Sequence, residues 1–200
     1  MKLLVLFAHP KISGSIVQKA MLAAIAGLEH VTIHDLYAAY PDFDIDVKAE
    51  QQRLLAHDLI VLQHPFYWYS SPAIIKEWQD LVLENGWAYG AAGTRLAGKF
   101  LMNAISTGGS SEAYRPDGRN RYAIETLLSP FNQTAHLCGM AYIEPFIVNA
   151  GRKMSSQDLT VRAEAYRDLI VGLRDRRIDP LKHLCHDFVL PAHFAARVSP

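Results

Sequence analysis

Leu3-Leu4-Val5-Leu6-Phe7-Ala8-His9-Pro10-Lys11-Ile12-Ser13-Gly14-Ser15 opens the chain as an apolar run that stops at a short polar loop. The run is apolar at every position, as in a parallel strand covered by helices on both faces. Ser15 can cap the helix that follows to Leu28, with apolar residues at Ile16, Ala20, Ala23, Ala24 and Leu28 in a 3.6-residue stripe. A loop between such a strand and helix suits a phosphate, because the helix begins with free N–H groups and the positive end of its dipole. Ser13 and Ser15 add donors with little bulk, and Gly14 lets the backbone come close. In isolation, a turn that binds nothing reads the same way.

Two hundred residues suit a single α/β domain, and no linker-like break occurs before about residue 175. The expected division is a domain over residues 1–175 followed by a C-terminal extension, 176–200. Twenty basic and twenty acidic side chains cancel, so no whole-chain field favours nucleic acid or an anionic membrane. A hydrophobic share of 50% points to apolar surface buried between subunits. Cys138 and Cys185 are far apart and no secretion signal precedes them, which fits a reducing cytoplasm better than a disulfide framework. The first apolar run ends at Ala8, too short for a signal-peptide core or a membrane span, so a soluble protein is expected.

Further along, strands are expected at Val31–Leu36, Leu59–Leu62, Phe100–Ile105 and Tyr142–Val148. Helices are expected from Val47 to His57 behind the cap Asp46, after Pro72 as far as Gly86, and from Ser155 to Leu173. Another helical stretch, Ile124 to Cys138, restarts at Ser129 as cap and Pro130 as first helical residue, and ends at Gly139. Alternating βα units with short connections imply an α/β, doubly wound, five-stranded parallel sheet in the flavodoxin-like order 2-1-3-4-5.

In that order strands 1, 3 and 4 are neighbours, so the loops at residues 9–15, 65–69 and 106–109 meet over one crevice. The first offers donors for a phosphate. The second carries Phe66, Tyr67, Trp68 and Tyr69, and the third, Ser106-Thr107-Gly108-Gly109, offers backbone N–H groups to a polar ring edge. A flavin mononucleotide (FMN) needs all three. Each element also has a plainer reading: packing for the aromatics, a turn for the glycines, backbone hydrogen bonds for His9 and His64. Their joint placement at adjacent strand ends favours the flavin. A receiver domain would need acidic residues at the first strand's end, where His9 and Pro10 stand, and a nicotinamide Rossmann site would need Gly-x-Gly-x-x-Gly.

These residues resemble the flavodoxin-like NAD(P)H:quinone oxidoreductases, and among them the ancillary proteins of glutathione-regulated potassium-efflux systems, of KefF and KefG type. The resemblance runs through Ala8-His9-Pro10, Asp35-Leu36-Tyr37, Tyr40-Pro41-Asp42-Phe43, Gln63-His64-Pro65, Tyr69-Ser70-Ser71-Pro72, Lys76-Glu77-Trp78 and Ser106-Thr107-Gly108-Gly109, across residues 1–173. It implies an FMN-containing homodimer that reduces quinones with NADH or NADPH by ping-pong hydride transfer. It also implies an activator of a membrane potassium antiporter, placed in the cytoplasm or at the inner face of the membrane.

By position, the implied flavin contacts are His9, Ser15, Ile16, Val17, Gln18, Phe66, Tyr67, Trp68, Tyr69, Ser106, Thr107, Gly108 and Gly109. In the family's quinone reductases a tyrosine and a histidine follow the glycine pair and line the substrate pocket. Tyr114 matches the tyrosine and is the expected catalytic residue, whereas Asn120 stands at the histidine position. The segment from Ser111 to Tyr122 is closer to the KefG type, for which the alternative is a regulatory subunit with FMN structural or absent. Arg115, Arg119 and Arg121 are the candidates to meet the extra phosphate that separates NADPH from NADH.

Past Arg174 the chain leaves the family pattern. Arg174-Asp175-Arg176-Arg177 reads as a solvated helix end. His183, Cys185, His186 and His193 match no strong zinc spacing, so no metal is expected. Leu181, Leu184, Phe188, Val189, Leu190 and Phe194 are apolar enough to pack on the body or on a partner subunit.

Overall fold

The computed structural model describes residues 1–150 and 154–185. Its centre is a parallel sheet in the order β2-β1-β3-β4-β5, built from β1 (Leu3–Phe7), β2 (Val31–Asp35), β3 (Leu59–Pro65), β4 (Phe100–Ser106) and β5 (Ala141–Tyr142). A sixth short strand, β6 (Phe146–Val148), also pairs with β4. The strand order is the one the alternating pattern implies.

Every residue of β1 and β3 is buried, because helices cover both faces. Leu3, Val5, Leu59, Val61, Met102 and Ala104 point to one side, against α1 (Ile16–Ile25) and α7 (Ser156–Arg174). Leu4, Leu6, Ile60, Leu62, Leu101 and Ile105 point to the other, against α3 (Val47–Leu55), α4 (Ala73–Val82) and α6 (Ser129–Leu137). The alternation follows the two-residue period of a strand.

Helix starts obey local chemistry. Asp46 Oδ1 accepts from Ala49 N at 2.9 Å to cap α3, and Ser155 Oγ accepts from Asp158 N at 3.1 Å to cap α7. Several expectations need correction. The second strand stops at Asp35, whose carboxylate accepts from Tyr37 N and Ala38 N and starts a one-turn helix, α2 (Leu36–Ala39). The face that α1 buries is Val17, Gln18, Met21 and Ile25, while Ile16 is half exposed. An alanine-rich helix gives the sequence little contrast to choose a face by. The restart near Pro130, which follows α5 (Ile124–Leu127), takes Leu128 as cap with Ser129 already helical, and Ser129 makes no capping bond.

The fifth strand is not continuous. Glu144 and Pro145 interrupt it, since proline has no N–H for the ladder, and Glu144 N donates instead to His183 O at 2.8 Å. Ile143 forms an antiparallel bridge with Leu184, and Cys185 N donates to Tyr142 O at 3.2 Å. Residues 183–185 thereby cover the sheet's outer edge, and Ile178, Leu181 and Leu184 join the core on the α1–α7 side. Phe188, Val189, Leu190 and Phe194, with His186 and His193, lie outside the described residues. No described helix is long and apolar enough to cross a membrane.

One buried charge ties the other face together. Glu50, on α3, is fully buried; it accepts from Tyr40 OH at 2.8 Å and from Trp78 Nε1 at 2.9 Å, with Arg53 Nε at 3.3 Å. His34 Nε2 approaches the same carboxylate at 2.9 Å, with angles poorer than those of a hydrogen bond. Burial pushes this carboxyl's pKa up, but the contacts with His34, Trp78 and Tyr40 outweigh it and hold the value at about 2. A depressed carboxyl pKa contributes stability that is present above the unfolded value and lost as pH falls through the folded one. The urea midpoint is therefore expected to hold from pH 7 to 5 and to fall between about pH 4.5 and 2. Glu50→Gln should flatten that fall and cost about 3 kcal/mol at pH 7; an unchanged acid limb would rule out this role.

Candidate functional site

The register β1–β3–β4 decides where the site is. Phe7 pairs with Gln63 and Pro65 with Ser106, so three chains leave the sheet side by side. Phe66 N donates to Ser106 O at 2.8 Å, which carries the pairing one residue beyond the strands. Above these ends lie two cavities of about 520 and 320 Å3 that share Phe66 and Gly108 and so form one trough.

The larger chamber is built on the first loop. Ser15 Oγ accepts from Gln18 N at 3.2 Å, which leaves the Ile16 and Val17 N–H groups without an acceptor among the described residues. Both residues line the chamber, as do Ser15, Gly14 and Lys11, whose ammonium has no partner among the described residues. His9 Nδ1 accepts from Lys11 N at 3.1 Å, so its proton sits on Nε2. Burial pushes the His9 pKa down against the pull of Asp35, and the ring is a neutral donor. A side-chain carbon at Gly14 or Gly108 would meet no protein atom within 4 Å. The protein's own packing does not require either glycine, and their smallness leaves room for a ligand.

The floor is a fully buried amide network. Gln18 Nε2 lies 3.0 Å from both His64 O and Ser106 Oγ, and Gln18 Oε1 accepts from Gln63 Nε2 at 3.0 Å. Tyr166 OH completes it by donating to Gln63 Oε1 at 2.9 Å. Gln18 therefore supports the chamber from below and does not line it. His64 is equally committed: its Nδ1 donates to Pro65 O at 2.9 Å and its Nε2 accepts from Asn103 Nδ2 at 3.0 Å. Burial pushes the His64 pKa down to about 4 against that bond to Pro65 O, so the ring is neutral.

On the third side, Thr107 N donates to Val148 O at 2.9 Å, and Ala150 N donates to Gly109 O at 2.7 Å. The Thr107 amide is thus spent on β6. The amides of Gly108 and Gly109 have no acceptor among the described residues and are free for a ligand's polar edge.

The smaller chamber brings together Trp68, Tyr69, Gly109, Tyr114, Arg119 and Asn120. Tyr69 OH donates to Asn120 Oδ1 at 3.3 Å, and Tyr114 packs edge-on against Phe66 at 6.0 Å between centroids. Burial pushes the Tyr114 phenol pKa up against the pull of a Thr107 hydrogen bond, so the phenol is protonated at neutral pH. The trough brings together every residue expected at the flavin and substrate sites except Gln18. Sequence reading passed over Lys11 as a pocket residue, and of the three arginines it offered for an extra phosphate, Arg115, Arg119 and Arg121, only Arg119 lines the trough.

Phe66 to Tyr69 do not form the single wall that the sequence suggests. Phe66 is buried, whereas Trp68 is 93% exposed. Trp68 and Tyr69 have φ values of 48° and 64°, and Ser70 N donates to Tyr67 O at 2.9 Å. Two successive positive φ angles closed by that bond make a type I′ turn, which ordinarily holds asparagine and glycine.

A model of the flavodoxin-like fold family matches residues 1–170. The glutathione-regulated potassium-efflux system ancillary protein KefG of Pectobacterium carotovorum is 48% identical over 171 residues, 86% of this chain and 93% of that protein. The crystal structure of general stress protein 14 from Treponema denticola in complex with FMN is 37% identical, covering 86% of this chain and 99% of that one, with a TM-score of 0.82. An NADPH-quinone reductase from P. pentosaceus is 32% identical, covering 84% and 97%, with a TM-score of 0.77.

Two non-glycine residues at positive φ cost roughly 1–2 kcal/mol each. Replacing Trp68-Tyr69 by Asn-Gly is expected to raise the stability of the ligand-free protein by about 1–2 kcal/mol in urea denaturation. It should also weaken flavin retention, measured by equilibrium dialysis. A stability gain with unchanged flavin affinity would mean that the turn is not part of the site.

Proposed function

The chain belongs to the flavodoxin-like fold family, and on that premise we propose that it is an FMN-dependent NAD(P)H:quinone oxidoreductase. The observation that carries this reading is the two-chamber trough over the ends of β1, β3 and β4, with anion donors at one end and a polar, aromatic-lined chamber at the other.

The residues present fit FMN. Lys11, the Ser15 hydroxyl and the amides of Ile16 and Val17 would hold its phosphate at the start of α1. Phe66 and Tyr67 would lie against the ring, and the amides of Gly108 and Gly109 would meet its polar edge. When bound, FMN supplies reversible two-electron hydride acceptance and donation.

The protein's own part is binding and orientation. Tyr114 and Asn120 line the chamber next to Phe66, where a planar donor and then a planar acceptor can occupy the same space. The Tyr114 phenol can hydrogen-bond an acceptor oxygen and stay neutral beside it. Asn120 can donate through Nδ2 but holds no titratable proton, and a phenol that stays neutral keeps its own, so the proton that accompanies reduction comes from water. His64 cannot deliver it, since both of its ring nitrogens are engaged below the floor.

A second reading is favoured by the 48% identity to a potassium-efflux ancillary protein: this chain engages the cytoplasmic part of a potassium antiporter, with or without turnover. A homodimer is proposed with both readings; light scattering will give the mass.

Freshly purified or FMN-loaded protein should show a flavin spectrum that bleaches on adding NADPH and recovers with a quinone. Steady-state double-reciprocal lines should be parallel; intersecting lines would exclude a shared chamber. Tyr114→Phe is expected to lower kcat/KM for the quinone about tenfold and to leave flavin bleaching by NADPH unchanged. A colourless protein that cannot be loaded with FMN would sink the oxidoreductase reading. Retention of the antiporter's soluble portion in a pull-down would then leave the regulatory one.

A further inference from the structure

We propose that Arg119 reads a phosphate or sulfonate group on the redox partner that enters the smaller chamber, so that the site selects anionic partners; this rests on the oxidoreductase reading above. The trough has two cations among its lining residues, Lys11 in one chamber and Arg119 in the other, and no carboxylate. In a chain with zero formal net charge, that asymmetry is local. FMN carries one phosphate, and the first chamber has the donors for it. Arg119 lies in the other chamber, across the shared Phe66 and Gly108, and so serves a second ligand.

The loop that presents Arg119 is tightly built. A side-chain carbon at Gly118 would fall 2.4 Å from Glu112 O and 2.8 Å from Ala113 O, so only glycine permits this approach. Gly118 N donates to Arg115 O at 3.0 Å and Asn120 N donates to Ala113 O at 2.8 Å. Arg121 N donates to Gly118 O at 3.1 Å, and Arg121 itself adopts φ 64°. These bonds fix the backbone on both sides of Arg119. Its guanidinium has no hydrogen bond or ion pair among the described residues. Arg115 and Arg121 do not line the chamber, and Arg115 lies within the field of Glu112. The structure thus separates three arginines that the sequence leaves equivalent. Beside Arg119, Asn120 Nδ2 offers a neutral donor, and Trp68 and Tyr69 offer ring faces, a lining suited to a planar molecule with an anionic substituent.

Two sources carry that chemistry: the phosphates of the pyridine-nucleotide donor, and an acidic substituent on the acceptor. FMN-loaded wild type, Arg119→Gln, Arg119→Lys and, as control, Arg115→Gln would be titrated with NADP+ and with 1,4-naphthoquinone-2-sulfonate, following the flavin difference spectrum. Each half-reaction would also be timed with NADPH against NADH, and with the sulfonate against neutral menadione. Arg119→Gln is expected to weaken one anionic ligand about tenfold, with partial rescue by lysine and none of this in Arg115→Gln. Loss confined to NADP+ and NADPH identifies the donor; loss confined to the sulfonate identifies the acceptor. Arg119→Gln within twofold of wild type for both ligands, or no binding of either by wild type, overturns the proposal. Arg119-dependent binding without any flavin bleaching would instead overturn the oxidoreductase reading and leave the anion site standing.

Discussion

The Gln18 side chain, with no solvent exposure, holds the site together from beneath. It links the first turn of α1 to the ends of β3 and β4 through His64 O and Ser106 Oγ, and to Gln63 through its own oxygen. A parallel sheet brings its strand ends to one level but does not fix the loops beyond them. A buried amide with both ends satisfied does, because losing one partner would strand a polar group away from water at a cost of about 1–3 kcal/mol. The chamber's three walls are thereby set relative to each other without any side chain having to enter the ligand space.

Much of this was legible in the sequence because the dominant signals are one-dimensional. Fully apolar runs at Leu3 and Leu59, and the run from Phe100 broken only by Asn103, announce covered parallel strands, and the caps Ser15, Asp46 and Ser155 announce helix starts. What escaped is what depends on tertiary partners. The inward face of α1 is chosen by what the sheet offers, not by the alanines. A four-residue helix such as α2 is too short to show a period. Trp68 and Tyr69 hold a backbone shape that glycine or asparagine would signal, and neither is there. Gln18, counted as a ligand contact by position, supports the site instead, and Lys11 becomes a pocket residue, and Arg119 parts from Arg115 and Arg121, only when loops far apart in sequence are folded over one another.

The two faces of the sheet also differ in kind. The α1–α7 side is apolar apart from the neutral amides of Gln18 and Gln63 and the Tyr166 hydroxyl that joins them. The opposite side carries the Glu50 carboxylate, clamped by groups from α3, α4 and the segment after β2. A buried charge of this sort is tolerated when its lone pairs are filled, and removing any one partner is then costly. Cooperative loss of the fold under acid should therefore begin on that side, away from the polypeptide that forms the floor of the trough.

The interruption at Glu144 and Pro145 acts as a phase shift in the sheet's outermost strand. Before it, Ala141 and Ile143 face the α1–α7 core while Tyr142 faces the other; after it, Phe146 and Val148 face the first core and Ile147 the second. A strand running unbroken from 141 to 148 would carry Tyr142 and Phe146 on the same side. One additional residue on this strand relative to β4 reverses the parity, as a bulge does. Tyr142 can then donate to Asn103 Oδ1 at 2.7 Å on one side of the sheet, while Val148 on the other keeps its carbonyl on Thr107 N. The rim of the trough is thus in step with the strands that carry it only because its outer support is out of step with itself.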